Sequence, residues 1–266
     1  EVTSIEGFVQ QIACCYLPHG YRWYVPGRIP ARKDPLAVDA KLIEQYGLDI
    51  SKRQRARHKQ RGLAAVQYLR HDHFFVLLAT EGRHRLFEEE RRRMRDFRKQ
   101  ALRFYDYSIS FRSGGRTRAG DLDRRWHSHV QMAPEAYRTE RAYFLELALR
   151  KSVEDLALEF RRVPFEPYAP IRRQLLNILR AVNTKRKLAG KGPVPTSALR
   201  LRRRVVRPFG DETHLWGSGS GSRDRSEDAP QEVEFATGPG TPRHRQPDLT
   251  LLVGGQQNAA LGKVPT

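Results

Sequence analysis

Two His-x-His pairs occur in this chain of 266 residues: His71-Asp72-His73 and His127-Ser128-His129. On a strand, residues i and i+2 point to one face, so both imidazoles of a pair can reach one ion. Residues 126–132 read as a strand, with His127, His129 and Gln131 on one face and Ser128, Val130 and Met132 on the other. Two neutral nitrogen donors and an amide oxygen make a compact platform for a divalent metal. The alternative is that His127 and His129 are ordinary strand histidines, touching phosphate if they touch a ligand at all.

A strand-borne His-x-His followed by a helix resembles the HUH nuclease superfamily, which includes rolling-circle replication initiators, relaxases and single-tyrosine transposases. Ser128 stands where that family carries a bulky apolar residue. The resemblance implies Mg²⁺ or Mn²⁺ at His127, His129 and Gln131. It also implies a tyrosine hydroxyl that attacks a single-stranded DNA phosphate, the metal polarising the phosphate. Tyr137 and Tyr143 follow in the next helix and Tyr168 opens the one after. Tyr168 is the favoured nucleophile, because the family's tyrosine usually lies on a later helix. No Walker A loop, no Gly-x-Gly-x-x-Gly after a strand and no Gly-x-Ser-x-Gly elbow is present.

Charge points the same way without the motif. The formal net charge is +19, and basic residues are mostly arginine. From Gly217 onward there are five basic and six acidic residues, so the preceding body carries about +20. Such a body repels itself unless an anion neutralises it, and nucleic acid is the obvious polyanion. Arginine also suits phosphate forks and base stacking. The densest run holds Arg53, Arg55, Arg57, Lys59 and Arg61, with no apolar face. It reads equally as a solvated helix or loop and as a phosphate-contacting arm. Further cation sits at Arg172-Arg173, Arg180, Lys185-Arg186-Lys187 and Arg202-Arg203-Arg204. Aromatics interleave with arginines at Tyr21-Arg22-Trp23-Tyr24, Arg103-Phe104-Tyr105 and Arg125-Trp126, where exposed rings would stack unpaired bases.

The elements that must position these residues are legible in outline. Residues 9–17 are β-prone and read as a strand, continued over 21–25 after the Pro18-His19-Gly20 turn. Asp34-Pro35 opens a helix over 36–46. The apolar run Phe74–Ala79 reads as a central strand covered on both faces. Residues 84–99 read as a helix with Leu86, Met94 and Phe97 inward, and 102–111 as a third strand. That strand pairs with 126–132 through a long glycine-rich loop. Pro134 starts a helix to about residue 162, and Pro170 another to about 187. Residues 199–206 read as a closing strand. Cys14 and Cys15 are adjacent, and neighbouring cysteines seldom form a disulfide with each other. They read as small buried strand residues in a reducing cytoplasm.

The expected fold is α+β: an antiparallel or mixed sheet with helices packed mainly on one face, then a disordered tail. Residues 1–216 form the basic nucleic-acid-binding domain and 217–266 the flexible tail, which contains a Gly-Ser linker. No apolar run is long enough to cross a membrane, and no signal peptide is evident, so a cytoplasmic protein is expected. The expected function is nucleic-acid binding, as an HUH-type endonuclease in replication or transposition. The alternative is non-enzymatic binding of RNA or DNA, for example as a subunit beside other proteins of a ribonucleoprotein complex.

Overall fold

The computed structural model describes residues 1–115 and 119–209. The tail expected over 217–266 lies outside the described residues. The fold is α+β, and both sheets are antiparallel.

Ser4 caps the first helix, α1 (Ile5–Gln10), its Oγ accepting from Gly7 N at 3.1 Å. The helix runs on as a π turn over Gln11–Tyr16 and a short 3₁₀ turn over Leu17–His19. This corrects the strand expected over 9–17. Phe8, Val9, Ile12, Ala13 and Leu17 are all buried, a helical spacing that overrides their β propensity. Cys14 and Cys15 fall on the outer side of this turn and are exposed, not buried in a strand.

The first sheet has strand order β2-β3-β1-β4, from β1 (Trp23–Arg28), β2 (Val66–His71), β3 (Phe74–Ala79) and the short β4 (Arg95–Asp96). β3 lies between β2 and β1, as its apolar run predicts. Val76 and Leu78 join the core that includes α1. Phe75, Leu77 and Ala79 pack on the opposite side with Tyr46 of α2 (Pro35–Tyr46). α2 opens at Asp34, whose carboxylate accepts from Leu36 N and Ala37 N. Arg70, 3 % exposed, ties this helix to β2 by bonding Asp39 at 2.9 Å. β1 carries Gly27 opposite Phe75, and a Cβ there would sit 2.1 Å from Cζ of that ring.

His71-Asp72-His73 is a tight turn between β2 and β3, with Asp72 at φ +52°. Its imidazoles do not converge: His71 Nδ1 meets Val2 O at 2.9 Å, and His73 Nδ1 meets Ile29 O at 3.2 Å. The helix expected over 84–99 shrinks to α4 (Leu86–Glu89) before the chain enters β4. Asp96 and Phe97 direct that change. Asp96 is buried against Arg98 at 2.7 Å, and Phe97 N donates to Arg22 O.

The second sheet has order β5-β6-β7: β5 (Leu102–Phe104), β6 (Tyr107–Ser113) and β7 (Trp126–Met132). The third strand expected over 102–111 is therefore two strands, turned at Tyr105, whose φ is +46°. The β6–β7 hairpin is as predicted. Phe97 joins the sheets, its carbonyl accepting from Phe111 N at 3.0 Å.

The helix expected from Pro134 to about 162 is two, α5 (Pro134–Arg150) and α6 (Val153–Arg162). Ser152 breaks it by capping α6, its Oγ accepting from Asp155 N at 3.0 Å. Phe144 and Phe160 then stack at 4.0 Å. α7 (Ala169–Leu188) runs beside β7, where Gln174 Oε1 accepts from Met132 N at 2.8 Å. Residues 199–208 follow as an extended strap, not the closing strand expected. Glu166 and Gln10 hold it in place of a neighbouring strand. Arg204 N donates to Glu166 Oε2 at 2.8 Å, and Gln10 Nε2 donates to Val206 O at 2.8 Å.

Candidate nucleic-acid interface

The basic run folds as α3 (Lys52–Gln60), whose residues are all at least partly exposed. Ser51 and Gln54 start it with a reciprocal capping box, Ser51 N donating to Gln54 Oε1 at 2.7 Å and Gln54 N to Ser51 Oγ at 3.2 Å. Arg53 and Arg57 make no side-chain hydrogen bond or ion pair among the described residues, nor does Arg61, which ends the helix. Arg55 donates to Ile50 O, and Lys59 Nζ donates to His19 O at 3.0 Å beneath the Tyr21 ring. Among the described residues, no carboxylate pairs with any cation of this helix. Its cations are thus presented to solvent without counter-charge, on a local fold that capping maintains.

The polar face of β7 is the second basic surface. The β6–β7 register sets Arg112 opposite His127 and Ser110 opposite His129. Ser128 Oγ points the other way and donates to Ala13 O at 2.6 Å. His127, His129 and Gln131 therefore share a face, as the alternation predicts. The two imidazoles differ in their surroundings. His127 Nε2 lies 2.9 Å from Asp123 Oδ2. Nδ1 of His129 is buried without a hydrogen-bond partner. Burial, then Arg112 and Arg173, hold the His129 pKa below the usual imidazole value. Among the described residues, no three His, Cys, Asp or Glu side chains gather where a metal could sit. Sequence reasoning misses Arg112, opposite His127, although the hairpin register alone places it there.

The tyrosines are dispersed. Tyr143 is exposed and donates to Glu159 at 3.2 Å, and Tyr137 packs at the edge of the main core. Tyr168 is half-buried and lines a cleft with Ser128, the residue that points away from the two histidines. The hydroxyl favoured as nucleophile is thus on the opposite side of β7 from His127 and His129. Burial pushes its pKa up to about 12.

The remaining arginines divide by position. Arg173 and Arg202 are exposed. Arg172 Nη1 donates to Pro167 O at 3.0 Å, and Arg203 Nη1 donates to the Tyr168 hydroxyl at 3.1 Å. Arg204 is tied by its backbone to Glu166. Of the aromatics set among arginines, Tyr21, Tyr24 and Phe104 are buried. Trp23 is half-buried, and Tyr105 and Trp126 stay 55 % and 41 % exposed, Trp126 with Phe111 stacked against it.

No protein-family model, curated protein or solved structure matches the chain.

Proposed function

We propose that this protein binds nucleic acid without cutting it, contacting phosphates chiefly through α3. The carrying observation is that Arg53 and Arg57 on α3, and Arg61 just beyond it, have no carboxylate partner among the described residues, and that α3 has no buried residue. A run of like charges repels itself, and neither packing nor ion pairing offsets that repulsion here. A phosphate backbone offsets it and releases counterions on binding. Arg112 and Arg173 beside the β7 face supply a second set of cations, and Trp126 and Tyr105 supply exposed rings for unpaired bases. Single-stranded DNA or RNA is therefore the favoured partner. The dispersed tyrosines, and the position of Tyr168 on the other side of β7 from the histidines, favour this reading over the nuclease. No helix among the described residues is long and apolar enough to cross a membrane.

The test is the salt dependence of binding to a labelled single strand, followed by fluorescence anisotropy. With several phosphates engaged, affinity falls about a thousandfold between 50 and 200 mM salt. Removing residues 217–266, which carry no net positive charge, leaves the curve in place. Absence of binding at low salt, or binding indifferent to salt, overturns the proposal.

A further inference from the structure

A cleft of about 290 Å³ lies between the π turn, β7, the start of α7 and the strap. Its walls include Cys14, Ser128, Tyr168, Arg172 and Arg203. Among the described residues, two guanidinium groups line it and no carboxylate does. The partners of Arg203 among the described residues are uncharged: the Tyr168 hydroxyl at 3.1 Å, Cys14 Sγ at 3.0 Å, and the Tyr168 ring, 4.9 Å from the guanidinium carbon. Arg172 likewise donates only to carbonyls, those of Pro167 at 3.0 Å and Leu201 at 3.5 Å. The carboxylate close by, Glu166, is 7 % exposed and committed to Arg200 at 3.0 Å and to the Arg204 amide.

Two positive charges lining one open-sided cleft repel each other, and partial burial takes some water from Arg203. An anion bound there relieves both costs. The Tyr168 hydroxyl accepts from Arg203, so its own proton remains to be given, and no acceptor for it occurs among the described residues. The cleft is at the small end of the range for ligand pockets, sized for one compact anion. The guanidinium fork matches the oxygens of phosphate better than a point cation does. From this we infer that the cleft is a phosphate-binding subsite, with Arg172 and Arg203 as its cations and Tyr168 as a neutral donor.

Cys14 makes the site testable without a nucleic acid, so the outcome is independent of the proposed function. It is exposed and lines the cleft, and Cys15 is exposed but is not part of its lining. The full chain is treated with iodoacetamide, and alkylation of each cysteine is followed by mass spectrometry. Inorganic phosphate is compared with chloride at equal ionic strength. Phosphate is expected to slow Cys14 saturably and to leave Cys15 unchanged. Arg172→Gln and Arg203→Gln should each raise the phosphate concentration needed for protection about tenfold or more, the scale of a charge-assisted bond. Arg150→Gln removes one distant surface charge and should raise it by less than twofold. Melting temperature identifies any variant that has lost its fold. The wild-type comparison needs no variant, and equal Cys14 rates in phosphate and chloride overturn the inference.

Oligonucleotides with and without a 5′-phosphate then separate the sources. Where inorganic phosphate protects, protection by the phosphorylated strand but not the unphosphorylated one assigns the subsite to a strand end. Protection by both assigns it to backbone phosphates, and protection by inorganic phosphate alone assigns it to a small phosphate compound.

Discussion

Arg186, 4 % exposed, donates through Nη1 to the carbonyl of Ala148 at 2.8 Å. It also donates to Lys151 O at 3.0 Å and Gly192 O. Lys185 and Lys191 reach Leu145 O and Leu149 O on the same helix end. The carboxyl-terminal turn of α5 thus gathers three cations, as its negative dipole end and unpaired carbonyls favour. These are structural charges. A count of lysines and arginines credits them to phosphate binding, and the fold has already used them.

The first prediction concerns that end of the helix. Arg186→Met leaves the buried carbonyl of Ala148 without this donor and unties the exposed Lys151 and Gly192 carbonyls from it, and should destabilise the protein by about 1–3 kcal/mol. Chemical denaturation measures this. Binding to a single strand at a temperature where the variant is folded should stay within about twofold of wild type. A large loss of affinity with unchanged stability would reassign Arg186 to the interface.

α3 should behave in the opposite way. Replacing Arg53, Arg57 and Arg61 by Gln should weaken binding and lower the salt slope by about 0.7–0.9 for each phosphate that the variant no longer neutralises. The melting temperature should move little, because all three side chains lie on the surface. A fall in melting temperature with an unaltered slope would show that α3 serves the fold instead.

His84 sets a pH dependence of stability. Its Nδ1 accepts from Leu86 N at 3.1 Å at the start of α4, a bond that needs the neutral ring. Burial, with Arg85 and His58 nearby, lowers its pKa in the folded chain. The unfolded chain therefore binds the proton more readily. The contribution is fully present above the ordinary histidine value, about 6.5, and shrinks as pH falls below it. His84→Asn keeps an acceptor that does not titrate. Its melting temperature should fall less than that of wild type between pH 7 and pH 5.5.

Gly27→Ala tests the closest approach in the first sheet. The added methyl meets the Phe75 ring across the β1–β3 pair, and the ring must swing out of the second cluster of apolar side chains. A loss of about 1–3 kcal/mol is expected, typical of overpacking. Phe75→Leu in the same background should restore part of it. No loss in the single variant would mean that the ring has room to move.

Much of this fold is legible from local signals. Asp34-Pro35 marks the start of α2, the apolar run marks β3 as an inner strand, and alternation along β7 sorts His127 from Ser128. What local signals miss is decided by distant partners. The β-prone residues 9–17 become helical because they pack at helical spacing in a core that no short window displays. The alternation over 199–206 looks like a strand, but Gln10 and Glu166 supply the hydrogen bonds that a strand would have made. Ser152 is a good cap by residue type, but the helical pattern on either side of it hides the break. The candidate site is half legible. The basic run is plain, but its lack of counter-charge is not, since pairing depends on which carboxylates the fold brings near. The cleft at Arg172 and Arg203 draws on four segments scattered along the chain, so no spacing rule reveals it.

The two bonds between Gln10 and Val206 span 196 residues, and the bond from Thr3 to Pro208 spans 205. They bear on the order in which the molecule comes together during its synthesis. At translation rates of about 5–20 residues per second, the partner of Gln10 emerges roughly 10–40 s after it. Throughout that interval the side-chain amide of Gln10 lacks the backbone groups that satisfy it. The amino-terminal helix is made first, and its bonds to the strap form last, because closing so long a loop is slow. A nascent chain halted before residue 206 should therefore be cut by protease within residues 1–17, and one released beyond 208 should resist.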